Sequence, residues 1–173
     1  MIKLTLEDFE YFARKQAQLD NSIMQQKNIS DDEWNYILNN HHTIALKVEI
    51  AEFVNECSNL WKYWKEKKPN RERILEEAID VLHFVFLKLN KKQDLPKGNY
   101  LDYFRTTTMT NEVLKHDKDK SEWLSALLRH NDELKILSIV MFILSDYGFT
   151  REDVIDQYNE KNAVNFERLE NGY

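Results

Sequence analysis

Apolar residues recur every three or four positions along most of this chain, which is the spacing of amphipathic helices. The segments 5–8 and 30–33 both have the form of helix-capping motifs, so a helix is predicted to follow each of them. A long helix is predicted over about 42–65, with Pro69 shortly after its end.

The segment 71–90 has a different pattern, because apolar side chains occupy nearly every side of the predicted helix. A helix of this kind is usually central and buried. The remaining predicted elements are a loop over 95–99, two shorter helices within 100–130, a strongly apolar helix over 134–147, and a capped final helix from 150 to about 169.

Composition supports a helical protein. The 173 residues include 3 glycines and 2 prolines, too few for the turns that sheets and hairpins need. We therefore predict an all-α bundle of about 6–8 helices in one domain over 1–173, with 95–130 as a candidate cap or insertion. The net charge of -6 argues against general nucleic-acid binding, which needs a basic surface, but not against a nucleotide site.

The chain has one cysteine, Cys57, so no intramolecular disulfide is possible, which fits a reducing cytoplasm. Its place in an apolar helical pattern favours a buried structural thiol over a reactive one. The N-terminus lacks an apolar core of signal-peptide length, and the longest apolar stretches, over 78–89 and 136–144, are too short to span a bilayer. We expect a cytoplasmic protein without a membrane segment.

Two pairs of acidic residues lie on consecutive predicted helices. Glu49 and Glu52 are three residues apart on the long helix, and Glu77 and Asp80 are three residues apart on the next. Positions i and i+3 share one face of a helix, with Cβ atoms about 5–6 Å apart. The connection between the two helices is short, which makes them neighbours, and face-to-face packing would gather four carboxylates.

The surroundings of Asp80 indicate a cation. Apolar residues flank it in a helix with almost no polar face, where an isolated carboxylate would protonate rather than stay charged. Hard divalent cations resolve the repulsion among close carboxylates, and magnesium keeps positions open for substrate phosphates. The alternative for Glu49 and Glu52 is an ordinary solvated face, and Glu56 and Glu76 are secondary candidates.

Other polar residues share faces with these helices or with the last one. His83 follows Asp80 by three residues and could reach the same face, although a hydrogen-bonded core histidine is the simpler interpretation. Lys161, Asn165 and Arg168 lie on one face of the final helix, where the two cations could neutralise phosphate oxygens. The alternative is the ordinary wet face of a terminal helix.

These motifs resemble those of a known group of enzymes. Glu49-x-x-Glu52 followed by Glu77-x-x-Asp80 resembles the metal-binding signature of the all-α nucleoside-triphosphate pyrophosphohydrolases, which include the dimeric dUTPases and the MazG-type enzymes. Three segments resemble the dimeric dUTPases in particular, namely 55–65, 80–84 and 161–173. The resemblance covers the chain after roughly its first ten residues, apart from 95–130.

The resemblance implies roles for the matching residues. The two acidic pairs would hold two or more magnesium ions, and Glu49 or Glu52 would also polarise the attacking water. The residues implied to bind substrate are Gln16, Asp20, Trp61, Trp64, His83, Phe84, Lys161, Asn165, Arg168 and Tyr173.

Within that set, the C-terminal residues would contact the phosphate chain or the sugar. A glutamine of the first helix would contact uracil, with Gln18 as a competing choice to Gln16. Some members of the family carry asparagine where Asp20 stands. An aromatic residue of the segment from Trp61 to Trp64 would stack on the base, and core packing is the alternative for each of these aromatics.

The implied activity is that of a magnesium-dependent dUTP diphosphatase, acting on dUTP and also dUDP, in a homodimer whose partner chain completes each active site. One alternative is a MazG-type pyrophosphohydrolase that acts on another nucleotide such as dCTP. A second alternative is a non-enzymatic helical interaction module whose acidic residues only decorate the surface.

Overall fold

Helices account for most of the chain in the computed structural model, which describes residues 1–66, 68–92, 96–116 and 119–172. Seven α-helices occur in these ranges: α1 Leu6–Lys27, α2 Asn39–Glu56, α3 Arg71–Asn90, α4 Pro96–Leu114, α5 Ser121–Arg129, α6 Glu133–Asp146 and α7 Arg151–Glu170. A π-helical turn over Glu33–Ile37 precedes α2, and a 3-10 turn over Ser58–Leu60 follows it. The described ranges contain no strand, so the all-α prediction is confirmed.

Each of the three capping motifs predicted from the sequence supplies a capping side chain. Thr5 starts α1 with a reciprocal capping box, in which its hydroxyl accepts a hydrogen bond from the backbone N–H of Asp8 and the Asp8 carboxylate accepts one from Thr5. Thr150 begins α7 in the same way. The Ser30 hydroxyl accepts a hydrogen bond from the backbone N–H of Glu33 at 3.2 Å, at the start of the π-helical turn.

Two boundaries differ from the sequence prediction. α2 ends at Glu56 instead of near residue 65, because Trp61 Nε1 donates a hydrogen bond to the Val54 carbonyl at 3.0 Å and turns the chain back onto the last helical turn. The apolar spacing continues past residue 56 because the turn also packs against the core. α4 begins at Pro96, within the predicted loop, and proline suits the first position of a helix.

The central helix is α3, which packs against α1, α2, α6 and α7. Its buried Phe86 meets the rings of Phe9 and Phe12 from α1 at centroid distances of 5.0 and 5.4 Å. Burial of α3 was predicted from its apolar pattern and is confirmed, as is burial of Cys57. None of the described helices has the length and apolar character needed to cross a membrane.

The segment after α3 packs against the rest of the bundle. α4 lies against α6 and α1, and the buried hydroxyls of Thr107 and Ser138 are 2.9 Å apart across the α4–α6 contact. Trp123 of α5 donates its indole N–H to the Leu114 carbonyl at 3.1 Å. The assignment of one domain over 1–173, with 95–130 as a cap or insertion, stays a prediction.

Candidate active site

Carboxylates from α2 and α3 converge where these two helices pack together. Glu49, Glu52 and Glu77 each offer an oxygen atom, and the three oxygens lie within 4.8 Å of one another. Glu77 is buried, Glu49 is half-buried and Glu52 is exposed, so the cluster opens toward solvent on the α2 side. The i, i+3 spacing on α2 and the packing of α2 on α3 together produce this arrangement.

Asp80, the fourth predicted carboxylate, lies one turn further along α3 and is bound by a lysine. Lys161 of α7 places its Nζ 2.7 Å from Asp80 Oδ2 and 3.3 Å from Glu76 Oε1. The Lys161 side chain is 11% exposed, so this ion pair is largely shielded from water. The contact connects α7 to the acidic face of α3.

The acidic cluster is electrostatically strained. Burial raises the pKa of Glu49 to about 7, and the neighbouring charges of Asp80, Glu52 and Glu77 add to the effect. Burial also raises the pKa of Glu77 and of Asp80, although Arg73 opposes the rise at Glu77 and Lys161 opposes it at Asp80. A hard divalent cation bound among these oxygen atoms would offset the repulsion between the ionised carboxylates. The residues present therefore fit such an ion.

Arg73 is a member of the site that the sequence analysis missed. Its guanidinium donates hydrogen bonds to Glu77 and, at 2.6 Å, to Glu76. The i, i+3 and i, i+4 spacing of an arginine ahead of two glutamates was a readable signal for these pairs.

A cleft of about 470 Å³ lies beside the cluster, within the size range of small-molecule sites. Three of the four predicted metal ligands line it, namely Glu49, Glu52 and Asp80. Seven of the predicted substrate-binding residues also line it: Gln16, Asp20, His83, Phe84, Lys161, Asn165 and Arg168. Apolar side chains that sequence reasoning did not single out complete the wall, among them Leu19, Ile23, Leu87 and Leu169.

Glu77 lines a different depression, which we call the side groove. It is formed by Val48, Ala51, Glu52, Asn55, Glu56, Arg73 and Glu77. Glu52 lines both the cleft and the side groove, so the carboxylate cluster lies between the two.

A buried hydrogen-bond chain runs along one wall of the cleft. Gln16 Nε2 donates to Asp20 Oδ1 at 2.8 Å, and Gln16 Oε1 lies 2.7 Å from His83 Nδ1 and accepts from the Tyr158 hydroxyl at 3.3 Å. Gln18, the competing choice, is exposed and does not line the cleft.

These hydrogen bonds assign the tautomer of His83. Because Gln16 Oε1 is an acceptor, His83 Nδ1 carries the proton and Nε2 is left with its lone pair. Nε2 is buried and has no hydrogen-bond partner among the described residues. Burial and Lys161 lower the pKa of His83 to about 3, so the ring is neutral. The ring stacks on Tyr158, with centroids 4.3 Å apart.

Asp20 is the last member of this series of hydrogen bonds, and it lies in an apolar environment. Burial raises the pKa of Asp20 to about 7, against the lowering effects of the Gln16 hydrogen bond and of Lys91. Burial in turn lowers the pKa of Lys91 to about 8, with a further contribution from Lys88. The pKa values of Asp20 and Lys91 therefore both lie near neutral pH.

The two tryptophans lie outside the walls of the cleft. Trp61 is partly buried against the core, with its indole N–H on the Val54 carbonyl. Trp64 is 63% exposed and meets the Trp61 ring edge-on at 5.7 Å. Tyr173 lies outside the described residues, so its predicted role with the phosphates stays a prediction.

An all-α bundle that gathers carboxylates beside a cleft with basic side chains defines a class of helical hydrolases acting on nucleotide phosphates. The model of the dUTPase family matches residues 8–173, and the chain therefore belongs to the dUTPase family, in its all-α form. Enzymes of this family cleave dUTP to dUMP and generally depend on a divalent metal, which the carboxylate cluster suits. No curated protein and no solved structure matches the chain.

Proposed function

We propose that this protein is a magnesium-dependent dUTP diphosphatase, which hydrolyses dUTP, and also dUDP, to dUMP. The observation that carries the proposal is the meeting of three carboxylates within 4.8 Å beside a cleft that Lys161, Asn165 and Arg168 also line. Acidic residues at this density attract divalent cations, and the basic residues match a polyphosphate.

Glu49, Glu52, Glu77 and Asp80 hold the magnesium ions in this proposal, with two or more ions in each site. When bound, magnesium supplies charge neutralisation at the phosphates and lowers the pKa of a bound water. Glu49 or Glu52 accepts the proton of the attacking water. Burial and its acidic neighbours raise the pKa of Glu49 to about 7 in the metal-free site, and a bound cation would lower this pKa.

The basic side chains of α7 neutralise the triphosphate. Lys161 contacts Asp80 and Glu76, and in the bound complex it lies among carboxylates and phosphates together. Arg168 lines the same cleft and can bind phosphate oxygens through two N–H groups. Asn165, one turn from Lys161, donates to the sugar or phosphate, and Tyr173 does the same.

His83 and Gln16 read the base. Nε2 of His83 is a buried acceptor with no hydrogen-bond partner among the described residues, and an N–H group of the ligand can donate to it. Uracil has such a donor at N3. In cytosine N3 is an acceptor, so the lone pairs of His83 Nε2 and of cytosine N3 would both be unsatisfied. This difference favours dUTP over the dCTP alternative. Asp20 and Phe84 complete the base pocket, and Trp61 or Trp64 reaches the base only if the segment after α2 moves toward the cleft.

Comparing the hydrolysis of dUTP, dCTP, dTTP and dATP by the purified protein tests the substrate. We expect kcat/KM for dUTP to exceed that for dCTP by about a hundredfold, because two buried acceptors, Nε2 of His83 and N3 of cytosine, would each be left unsatisfied at a cost of about 1–3 kcal/mol. Preference for dCTP would select the MazG-type alternative.

The metal site has a test of its own. The double substitution Glu77→Gln, Asp80→Asn should abolish magnesium binding and lower kcat/KM by about a hundredfold or more. Glu7→Gln, Glu10→Gln is a matched control, since these residues have the same i, i+3 spacing on α1 and lie outside the cleft. Unaltered magnesium binding in the first variant would favour the non-enzymatic helical module.

A further inference from the structure

Five charged side chains of alternating sign form a continuous chain along the acidic face of α3. Arg73 bonds to both Glu77 and Glu76, and Lys161 bonds to both Glu76 and Asp80. Glu76, which has no metal role in the proposed function, is therefore bound by both cations. The two ends of the chain, Glu77 and Asp80, are the two metal ligands proposed on α3.

Arg73 contacts Glu77 in a way that leaves a metal position open. Its Nη2 bonds to one carboxylate oxygen of Glu77, Oε1, and the guanidinium makes no hydrogen bond to the other oxygen, Oε2. A carboxylate can accept an N–H bond through one oxygen and ligate a cation through the other. The other branch of the guanidinium, Nη1, is held by Glu76, so Arg73 itself has a fixed orientation.

Charge balance also favours keeping Arg73 in place when metal binds. Six carboxylates lie in or beside the cluster: Glu49, Glu52, Glu56, Glu76, Glu77 and Asp80. Two divalent cations neutralise four of these charges, and Arg73 and Lys161 can neutralise the remaining two. The guanidinium thus complements the metal ions and does not have to leave.

Burial differs sharply between the two partners. The Glu77 side chain is 5% exposed, whereas that of Arg73 is 46% exposed along the side groove. A carboxylate buried to this extent needs hydrogen bonds to stay charged in one orientation. Arg73 provides one such bond from the solvent side, along the side groove.

We propose that Arg73 is a positioning residue of the metal centre, which fixes the Glu77 carboxylate through one oxygen so that the other oxygen faces a divalent cation. This inference rests on the proposed metal site. It gives Arg73 no contact with the substrate, and it makes Glu76 the anchor that fixes Arg73.

The sign of the effect separates positioning from plain electrostatics. Removing a positive charge near a metal site strengthens cation binding by electrostatics alone, whereas loss of a ligand-orienting hydrogen bond weakens it about 10–100-fold. Calorimetric titration of the whole protein with Mn²⁺ alone measures the dissociation constant of Mn²⁺. We expect Arg73→Gln to weaken Mn²⁺ binding about tenfold or more, and Arg73→Lys, which keeps one donor to Glu77, to restore part of the loss.

Two comparisons complete the experiment. Arg71→Gln removes the same charge two residues away, where the guanidinium bonds to the Tyr147 carbonyl and lies 4.5 Å from the Phe149 ring, and it should not weaken Mn²⁺ binding. In a Glu77→Gln background, adding Arg73→Gln should cause no further weakening, because the residue acts through Glu77. Equal or tighter Mn²⁺ binding by Arg73→Gln would overturn the inference.

A structure of the wild-type protein with Mn²⁺ provides a readout that does not depend on any variant folding. We expect Glu77 to contact the ion while Arg73 stays on Oε1, and separation of Arg73 from Glu77 would contradict the inference. Failure of the wild-type protein to bind Mn²⁺ at all would overturn the proposed metal site and this inference with it. Normal wild-type binding with an unaffected Arg73→Gln variant would overturn the inference alone.

Discussion

Gln16 determines the chemistry of two neighbouring side chains, because an amide has one end that donates and one that accepts. Its Nε2 faces Asp20 and its Oε1 faces His83 and Tyr158. Reversing the amide would place its oxygen against the Asp20 carboxylate oxygen, acceptor against acceptor. A neutral histidine with a free ring nitrogen is therefore a consequence of the whole chain of bonds and not of His83 alone.

Asp20 should make the stability of the protein depend on pH. Its folded pKa is raised to about 7 from 3.8, so its favourable contribution is complete below about pH 4 and is lost as the pH rises through about 7. We expect Asp20→Asn to remove this loss, worth at most about 4 kcal/mol. Denaturant unfolding of both proteins at pH 5 and pH 8 measures the difference, and a variant that gained no stability relative to wild type at pH 8 would contradict the assignment.

Lys161 should contribute to substrate affinity in addition to holding α7 against α3. Lys161→Met removes a cation that lines the cleft, and we expect kcat/KM for dUTP to fall about tenfold or more through a higher KM. Lys135→Met, at an exposed position of α6, is the matched control and should leave kinetics unchanged. A fall in kcat with unchanged KM would assign Lys161 to the chemical step instead of to binding.

At the scale of elements, α3 contributes acidic residues and His83 to the site, and α7 contributes basic residues. α3 buries apolar side chains on most of its surface and carries Glu77, Asp80 and His83 on the remainder, so its position is fixed by the core. α7 buries three of its 20 residues, and it is held at its N-terminal end by the Thr150 capping box and by Arg151, whose guanidinium bonds to Asp8 of α1. Lys161 then fixes its middle against α3.

The Thr150 cap should therefore stabilise α7 measurably. Thr150→Ala removes the hydroxyl that accepts from the Asp153 N–H, and we expect a loss of about 1 kcal/mol in the free energy of unfolding. Thr108→Ala, at an exposed position within α4, should change stability by less than about 0.5 kcal/mol. Equal effects of the two substitutions in chemical denaturation would show that the cap contributes nothing specific.

At the scale of the whole molecule, the described surface keeps large apolar side chains in contact with water. Ile37 and Ile44, on the π-helical turn and on α2, are 67% and 64% exposed, and Val48 follows them toward the side groove. An apolar surface of this kind is typical of an interface between chains. The homodimer implied by the resemblance to dimeric dUTPases remains our proposal.

Sedimentation equilibrium tests that proposal directly. One chain has a mass of 20.9 kDa, and the measured mass should be about twice that value at micromolar concentrations. A permanent dimer stays associated in this concentration range. A mass of one chain at every concentration would contradict the homodimer. Partial dissociation on dilution would instead measure its affinity.

The local patterns of the chain were enough to predict its elements. Apolar spacing and capping motifs predicted α1, α3, α6 and α7 closely, since each depends on residues within a few positions of one another. The end of α2 could not be predicted in this way, because a bond from Trp61 to the Val54 carbonyl turns the chain while the apolar spacing continues. The motifs also identified the family, which the family comparison confirmed.

The partners of the site residues were decided by the tertiary structure alone. Nothing near Lys161 in sequence indicates that it meets Asp80, because the two residues are 81 positions apart and α3 and α7 must pack before their charges interact. The same holds for the contact between Gln16 and His83. Residue types and short-range spacing specify which helices form and which chemistry they carry, whereas packing of those helices determines which charges and hydrogen-bonding atoms face one another, and hence their pKa values.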